Sequence, residues 1–231
     1  MKFPENATVV VVHGAWADGS SWRAIVGRLE ECGLNVIAAP IPLTSLSEDA
    51  AALKRTIART HGPVIVAGHA YAGAVIATAH DDRVRALVYV AALAPDEGET
   101  VAQVFYRDEP HPKTPQLAPD RDGFIWMPDE GFAGAFAQNA TDEQIALSKA
   151  VQRPISVKSI QEPAPAPAWK SKPTWYLLAE QDRMINPKTQ RFMAERMKAK
   201  VRAFAVDHTP LLTAPERVAD VILEAAQATL S

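Results

Sequence analysis

The chain has 231 residues, 48% hydrophobic and 22% charged, which suits one domain with a sizeable core. Its formal net charge of -3 offers no basic surface to nucleic acid or an anionic membrane, and no run approaches the roughly 20 apolar residues of a membrane span. The opening MKFPENATVVVVHG has too short an apolar run for a signal-peptide core, and a single cysteine, Cys32, predicts a reducing cytoplasm and a buried, inert thiol.

Apolar runs alternate with helix-spaced stretches along the chain. Ala7–His13 (ATVVVVH) is a β-branched strand stopped by Gly14. Ser21–Cys32 places Trp22, Ile25, Val26 and Leu29 on one helical face, with Gly33 as the stop. Asn35–Ala39 is a second strand, and Ser47–Thr60 a helix with Ser47 as its predicted N-cap. Pro63–Ala67 is a third strand, Tyr71–Ala79 the helix after it, and Arg85–Ala92 a fourth strand. Thr174–Ala179 and Val201–Val206 are the last two strands, with a helix near Lys188–Lys200 between them and Pro215–Thr229 as the closing helix. Continuous apolar strands joined by helices predict a doubly wound, mostly parallel α/β sheet. The core is assigned to residues 1–94 and 169–231. Residues 95–168 break the alternation with prolines and short helical pieces and read as an inserted helical lid with a Pro-rich exit at Pro163–Pro167.

Three segments at strand ends carry reactive residue types, the third being a pair late in the chain. Val11–Trp16 (VVHGAW) runs from a strand into His-Gly, where backbone amides can face a developing oxyanion. Gly68-His69-Ala70-Tyr71-Ala72-Gly73 lies between a strand and a helix, and Asp182 and His208 follow the last two strands. In a parallel α/β sheet these carboxyl ends share one edge, so all three can meet. The glycines fit neither a dinucleotide nor a phosphate loop, and no two acids or histidines show metal-ligand spacing, so no cofactor and no metal are expected.

The chain resembles the α/β-hydrolase superfamily, whose turn is Gly-x-Ser-x-Gly and whose triad runs nucleophile, acid, histidine. Through HGAWADGSSW, VYVAALAPDEGE, SKPTWYLLAEQDRMI and PERVADVI it is similar to small bacterial esterase-like hydrolases and to plant methylesterases and hydroxynitrile lyases. The resemblance is weakest across Val101–Trp169. It implies His208 as general base, Asp182 as the carboxylate orienting it, and the amides of Ala15 and Tyr71 as oxyanion donors. The departure is Ala70, at the nucleophile's place. An intact acid and base around a trimmed nucleophile read as an engineered Ser→Ala change at position 70 that leaves the chain nearly inactive. The implied activity is acyl transfer on a carboxylic ester or lactone, a small-molecule substrate. Two alternatives stand beside it: a base-catalysed lyase, isomerase or proton-transfer enzyme using a His208–Asp182 dyad, and a non-catalytic small-molecule receptor. The plant lyases pair a lysine beside the histidine with a threonine after the first strand's histidine, and Thr209 and Gly14 stand there instead.

Several residues carry a plainer reading. Asp207, adjacent to His208, competes with Asp182 as the acid. His69 is expected to be structural, His13 to anchor the oxyanion loop, and His61, His80 and His111 to be solvated. Trp16, Tyr71, Phe105, Trp126 and Phe132 are candidate pocket walls, with Trp16 and Trp126 assigned to the substrate site. Trp22 and Trp175 are expected in the core. The oligomeric state is not legible.

Overall fold

The computed structural model describes residues 3–230. Six strands form one sheet: β1 (Thr8–Val12), β2 (Asn35–Ala39), β3 (Val64–His69), β4 (Val84–Val90), β7 (Thr174–Ala179) and β8 (Lys200–Phe204), in the order β2-β1-β3-β4-β7-β8. Every neighbouring pair is parallel, so the large sheet is wholly rather than mostly parallel. Successive side chains serve opposite faces. Val10, Val12, Val64, Val66, Leu87, Tyr89, Tyr176 and Leu178 belong to one core cluster. Val9, Val11, Ile65, Ala67, Val88, Val90, Trp175 and Leu177 belong to the other. The first face is covered by α2 (Leu46–Ala58), α3 (Ala72–Ile76) and α8 (Pro187–Arg196). The second is covered by α1 (Arg23–Glu31) and α10 (Pro215–Leu230), and Trp22 and Trp175 lie buried there as their spacing predicts.

Details at element ends differ from the sequence reading. Ser45, not Ser47, caps α2, its hydroxyl accepting from the Glu48 amide at 3.1 Å, while the Ser47 amide donates to Glu162. Cys32 continues the buried stripe of Trp22, Ile25 and Leu29, but the helix ends at Glu31 and the thiol is exposed. The helix predicted to Lys200 stops at Arg196, followed by Lys198 in the left-handed region (φ +52°).

Between β4 and β7 the chain leaves the sheet. This insertion holds α4 (Val101–Phe105), α5 (Asp129–Gly131), α6 (Asp142–Val151), α7 (Val157–Gln161) and a small antiparallel pair, β5 (Phe124–Ile125) with β6 (Ile155–Ser156). A wide π-turn, Phe132–Phe136, extends α5. The stems are tied by reciprocal bonds, Gly98 N–H to the Ala164 carbonyl at 2.9 Å and Ala164 N–H to the Glu99 carbonyl at 2.8 Å. The remaining short helix, α9 (Pro210–Thr213), lies between β8 and α10.

The turn from β3 into α3 needs close backbone approach. A Cβ on Gly73 would sit 2.2 Å from the Leu93 carbonyl oxygen and 2.9 Å from the Ala92 Cβ. Backbone cannot yield as a side-chain tip can, so Gly73→Ala is expected to cost about 3 kcal/mol. A denaturation midpoint unchanged from the parent would refute this account of the packing.

Candidate active site

β2 lies on one side of β1 and β3 on the other, so the strand order reverses between β1 and β3. A crevice opens beyond the carboxyl ends at such a point. The segments His13–Trp16 and His69–Tyr71 emerge there.

His13 is buried, and its Nδ1 donates to the Gly14 carbonyl at 2.9 Å, fixing the loop. Burial lowers its pKa, against the opposing pull of that bond, so the ring favours the neutral form. The loop is pinned again at Trp16, whose backbone N–H donates to the Arg153 carbonyl at 3.0 Å and whose indole N–H donates to Ile125 at 2.9 Å. Trp16 itself sits at φ +57°. Gly14 faces the turn at Ala70: a Cβ there would lie 3.0 Å from the Ala70 Cβ and 3.1 Å from the His69 carbonyl oxygen.

Ala70 adopts φ +51°, a left-handed conformation that strains a residue with a Cβ. Its carbonyl accepts from Gly73 at 3.1 Å and from Leu93 at 2.9 Å, so the turn is held from both sides. Among the described residues, no protein acceptor takes the amide N–H of Ala15 or of Tyr71.

His208 is buried beside this turn, and its Nδ1 donates to Asp182 Oδ2 at 2.8 Å. That bond places the neutral ring's proton on Nδ1 and leaves Nε2 as the basic lone pair. The Asp182 carboxylate is saturated: Oδ1 accepts from the amides of Met184 (2.7 Å) and Ile185 (2.9 Å), and Oδ2 also accepts from Gln190 Nε2 at 2.7 Å. Asp207 turns elsewhere. Its Oδ1 accepts from Thr213 Oγ1 at 2.6 Å and Thr209 N–H at 3.2 Å, and its Oδ2 from Asn139 N–H at 3.0 Å. His69 Nε2 donates to the His208 carbonyl at 2.7 Å, and burial pushes its pKa down to about 3. It is therefore a neutral buttress, while His61, His80 and His111 are exposed.

These groups border an apolar cleft lined in part by Ala15, Trp16, Ala70, Tyr71, Phe105 and His208. The insertion supplies further walls from Val101 to Ile160. Trp126 is not among them. It is 49% exposed, and its indole N–H donates to Asp120 at 3.1 Å. Its neighbour Ile125 faces the cleft, and in extended chain adjacent side chains point apart. Phe132 is fully buried behind Phe136, which is the ring that reaches the cleft. Phe136, Gln190 and Asp49 were not foreseen from sequence. Among the described residues, no group of three His, Cys, Asp or Glu could hold a metal ion.

Asp49, on α2, is fully buried. Its Oδ2 accepts from Tyr71 Oη at 2.6 Å and its Oδ1 from the Leu43 amide at 2.7 Å. Burial raises its pKa to about 6 despite those bonds, and the Tyr71 phenol is pushed well above its ordinary range by burial and by this carboxylate. A carboxyl whose pKa is higher folded than unfolded binds its proton more tightly in the native state. Stability is therefore lost as pH rises from about 4 through about 6, by roughly 3 kcal/mol. Asp49→Asn removes that dependence, so its stability relative to the parent is expected to rise between pH 4 and pH 7. Denaturant unfolding at the two pH values checks this, and a constant difference would contradict it.

Known proteins resemble the chain throughout. It is 26% identical to the alpha/beta hydrolase nvfD of Aspergillus novofumigatus, covering 94% of this chain and 96% of that one. It is 24% identical to a pyrethroid hydrolase of Sphingobium wenxiniae, covering 95% and 88% respectively. The crystal structure of polyneuridine aldehyde esterase shares the fold with a TM-score of 0.83 at 18% identity, covering 95% of this chain and 98% of that one. A model of the alpha/beta hydrolase family matches residues 9–221, and the chain belongs to that family.

Proposed function

We propose that this is the site of a serine hydrolase acting on a neutral carboxylic ester or lactone by acyl transfer, with Ala70 standing at the nucleophile's place. The observation that carries the reading is the bonded His208–Asp182 pair bordering the same cleft as Ala70, with the amides of Ala15 and Tyr71 unengaged. A hydroxyl on the Ala70 Cβ would pass its proton to His208 Nε2 as the oxygen attacks the ester carbonyl. The two amides would hold the oxyanion, and His208 would return the proton to the leaving alcohol. Water then repeats the sequence on the acyl-enzyme. Residues 95–168 act as a lid that sets substrate size and excludes water. Relatives named as a pyrethroid hydrolase and an esterase support hydrolysis of small molecules.

Alanine keeps the strained turn and removes one oxygen from it, which supports reading position 70 as a Ser→Ala replacement. The chain as written is then nearly inactive. The paired test is a short-chain aryl ester and a fluorophosphonate label, applied to the parent and to Ala70→Ser. Turnover and one added label in the variant alone support the reading; an inert variant rejects it. A second reading rests on the same dyad, since its base is complete without a nucleophile: non-covalent proton transfer from a bound carbon or oxygen acid. It requires turnover by the parent, abolished by His208→Ala.

A further inference from the structure

A second cavity lies behind the cleft. It is partly open to solvent beside Ser20 and Leu147, and Trp16 and Phe136 border both spaces. The chain crosses the partition within single steps. Ala70 and His208 border the cleft, while their neighbours His69 and Thr209 border the rear chamber. Of the polar side chains around the chamber, His69 keeps a buried Nδ1 without a partner, and most others are engaged. Asp18 accepts from the Ser20 amide, Gln144 donates to the Leu212 carbonyl, Ser148 to the Gln144 carbonyl, and Thr209 to the Phe136 carbonyl. Among the described residues its wall includes no lysine or arginine.

The two rings of the partition are held differently. The Trp16 indole is bonded to Ile125 and packs at 82° to Phe136, with centroids 6.1 Å apart. Phe136 has no hydrogen bond to lose from its side chain. Its ring is held by contact with Phe132 (5.5 Å), His208 (5.4 Å) and His69 (6.5 Å). It ends the π-turn, a wide helical turn of the kind that recurs at functional sites.

We infer that the rear chamber is a second subsite of the same ligand site. It takes an uncharged apolar arm, an alkyl chain or unsubstituted aryl group, of an ester whose other arm fills the cleft. Phe136 is the specificity-determining wall that sets how long an arm passes. An anionic arm finds no cation there and faces Asp18. The inference rests on the hydrolase reading for its catalytic readout and on the cavities for its binding readout.

The experiment compares kcat/KM for p-nitrophenyl esters from acetate to dodecanoate in Ala70→Ser, with and without Phe136→Ala. Removing the wall is expected to raise the long-to-short ratio about tenfold or more, as burial of about two further methylenes would give. Adding Ser148→Phe, which fills the chamber from α6, is expected to return the ratio to its starting value. In parallel, 1-decanol binding is measured calorimetrically with Ala70 in place, where Phe136→Ala should tighten it by a similar factor. Active Ala70→Ser with a flat ratio, or a gain that Ser148→Phe leaves standing, overturns the subsite. Inert Ala70→Ser with tightened, Ser148→Phe-sensitive decanol binding keeps the subsite and rejects the hydrolase reading. Inert Ala70→Ser with unchanged decanol binding overturns both.

Discussion

Ala70→Ser is expected to raise kcat on a short aryl ester by about 10⁶, the scale on which serine hydrolases lose activity when only the nucleophile is removed. This corresponds to about 8 kcal/mol of transition-state stabilisation from one added oxygen. So large a return follows from everything else being already ordered. The turn holds φ +51° at position 70, and Asp182 fixes the proton of His208 on Nδ1. The Ala15 and Tyr71 amides have no competing acceptor among the described residues. No reorganisation is then needed when the hydroxyl arrives. Initial-rate kinetics together with intact mass after fluorophosphonate treatment measure the gain. A variant that labels but turns over slowly would place the deficit in deacylation, whereas one that does neither would remove the acyl-enzyme from the mechanism.

Asp182→Asn, in the Ala70→Ser background, is expected to lower kcat by about 10⁴ with the fold intact. The carboxylate accepts four hydrogen bonds: two from amides, one from Gln190 and one from His208. A carboxamide has only one oxygen for these donors. If its NH2 faces His208, the imidazole must present Nδ1 as acceptor and carry its proton on Nε2. The base is then blocked at the atom that has to receive the nucleophile's proton. Asp207→Asn serves as the comparison, because Asp207 bonds Thr209, Thr213 and Asn139 and does not reach the His208 ring. Its rate per folded molecule should stay of the same order as the Ala70→Ser parent. Equal losses from the two substitutions would defeat the assignment of Asp182.

The sheet was legible because its strands are buried on both faces, and runs such as TVVVV and VIVAGH carry that burial in their composition. The turn around Ala70, the loop His13–Trp16 and the order of Asp182 and His208 stand out in the sequence as short motifs. Residues that act only through distant partners do not. Gln190 reaches Asp182 from α8, and Asp49 reaches Tyr71 from α2; no local pattern distinguishes either from an ordinary helix residue. Choosing among aromatics in residues 95–168 required the direction of each side chain. A two-residue strand and a π-turn decide those directions, and neither has a periodicity to read. Trp126 therefore turned outward while Phe136 turned in. The cap of α2 moved from Ser47 to Ser45 because several serine and threonine residues compete there.

The apolar lining of the cleft bears on what leaves it as well as on what enters. Among the described residues its walls include no lysine or arginine. An ester arrives neutral and loses little by leaving water, but the acid it yields is already ionised at neutral pH. A carboxylate without a cation is costly to keep in such surroundings. In the proposed reaction the same walls that draw the substrate in would expel its product, so turnover would be driven forward by solvation and accumulated acid would compete poorly for the site.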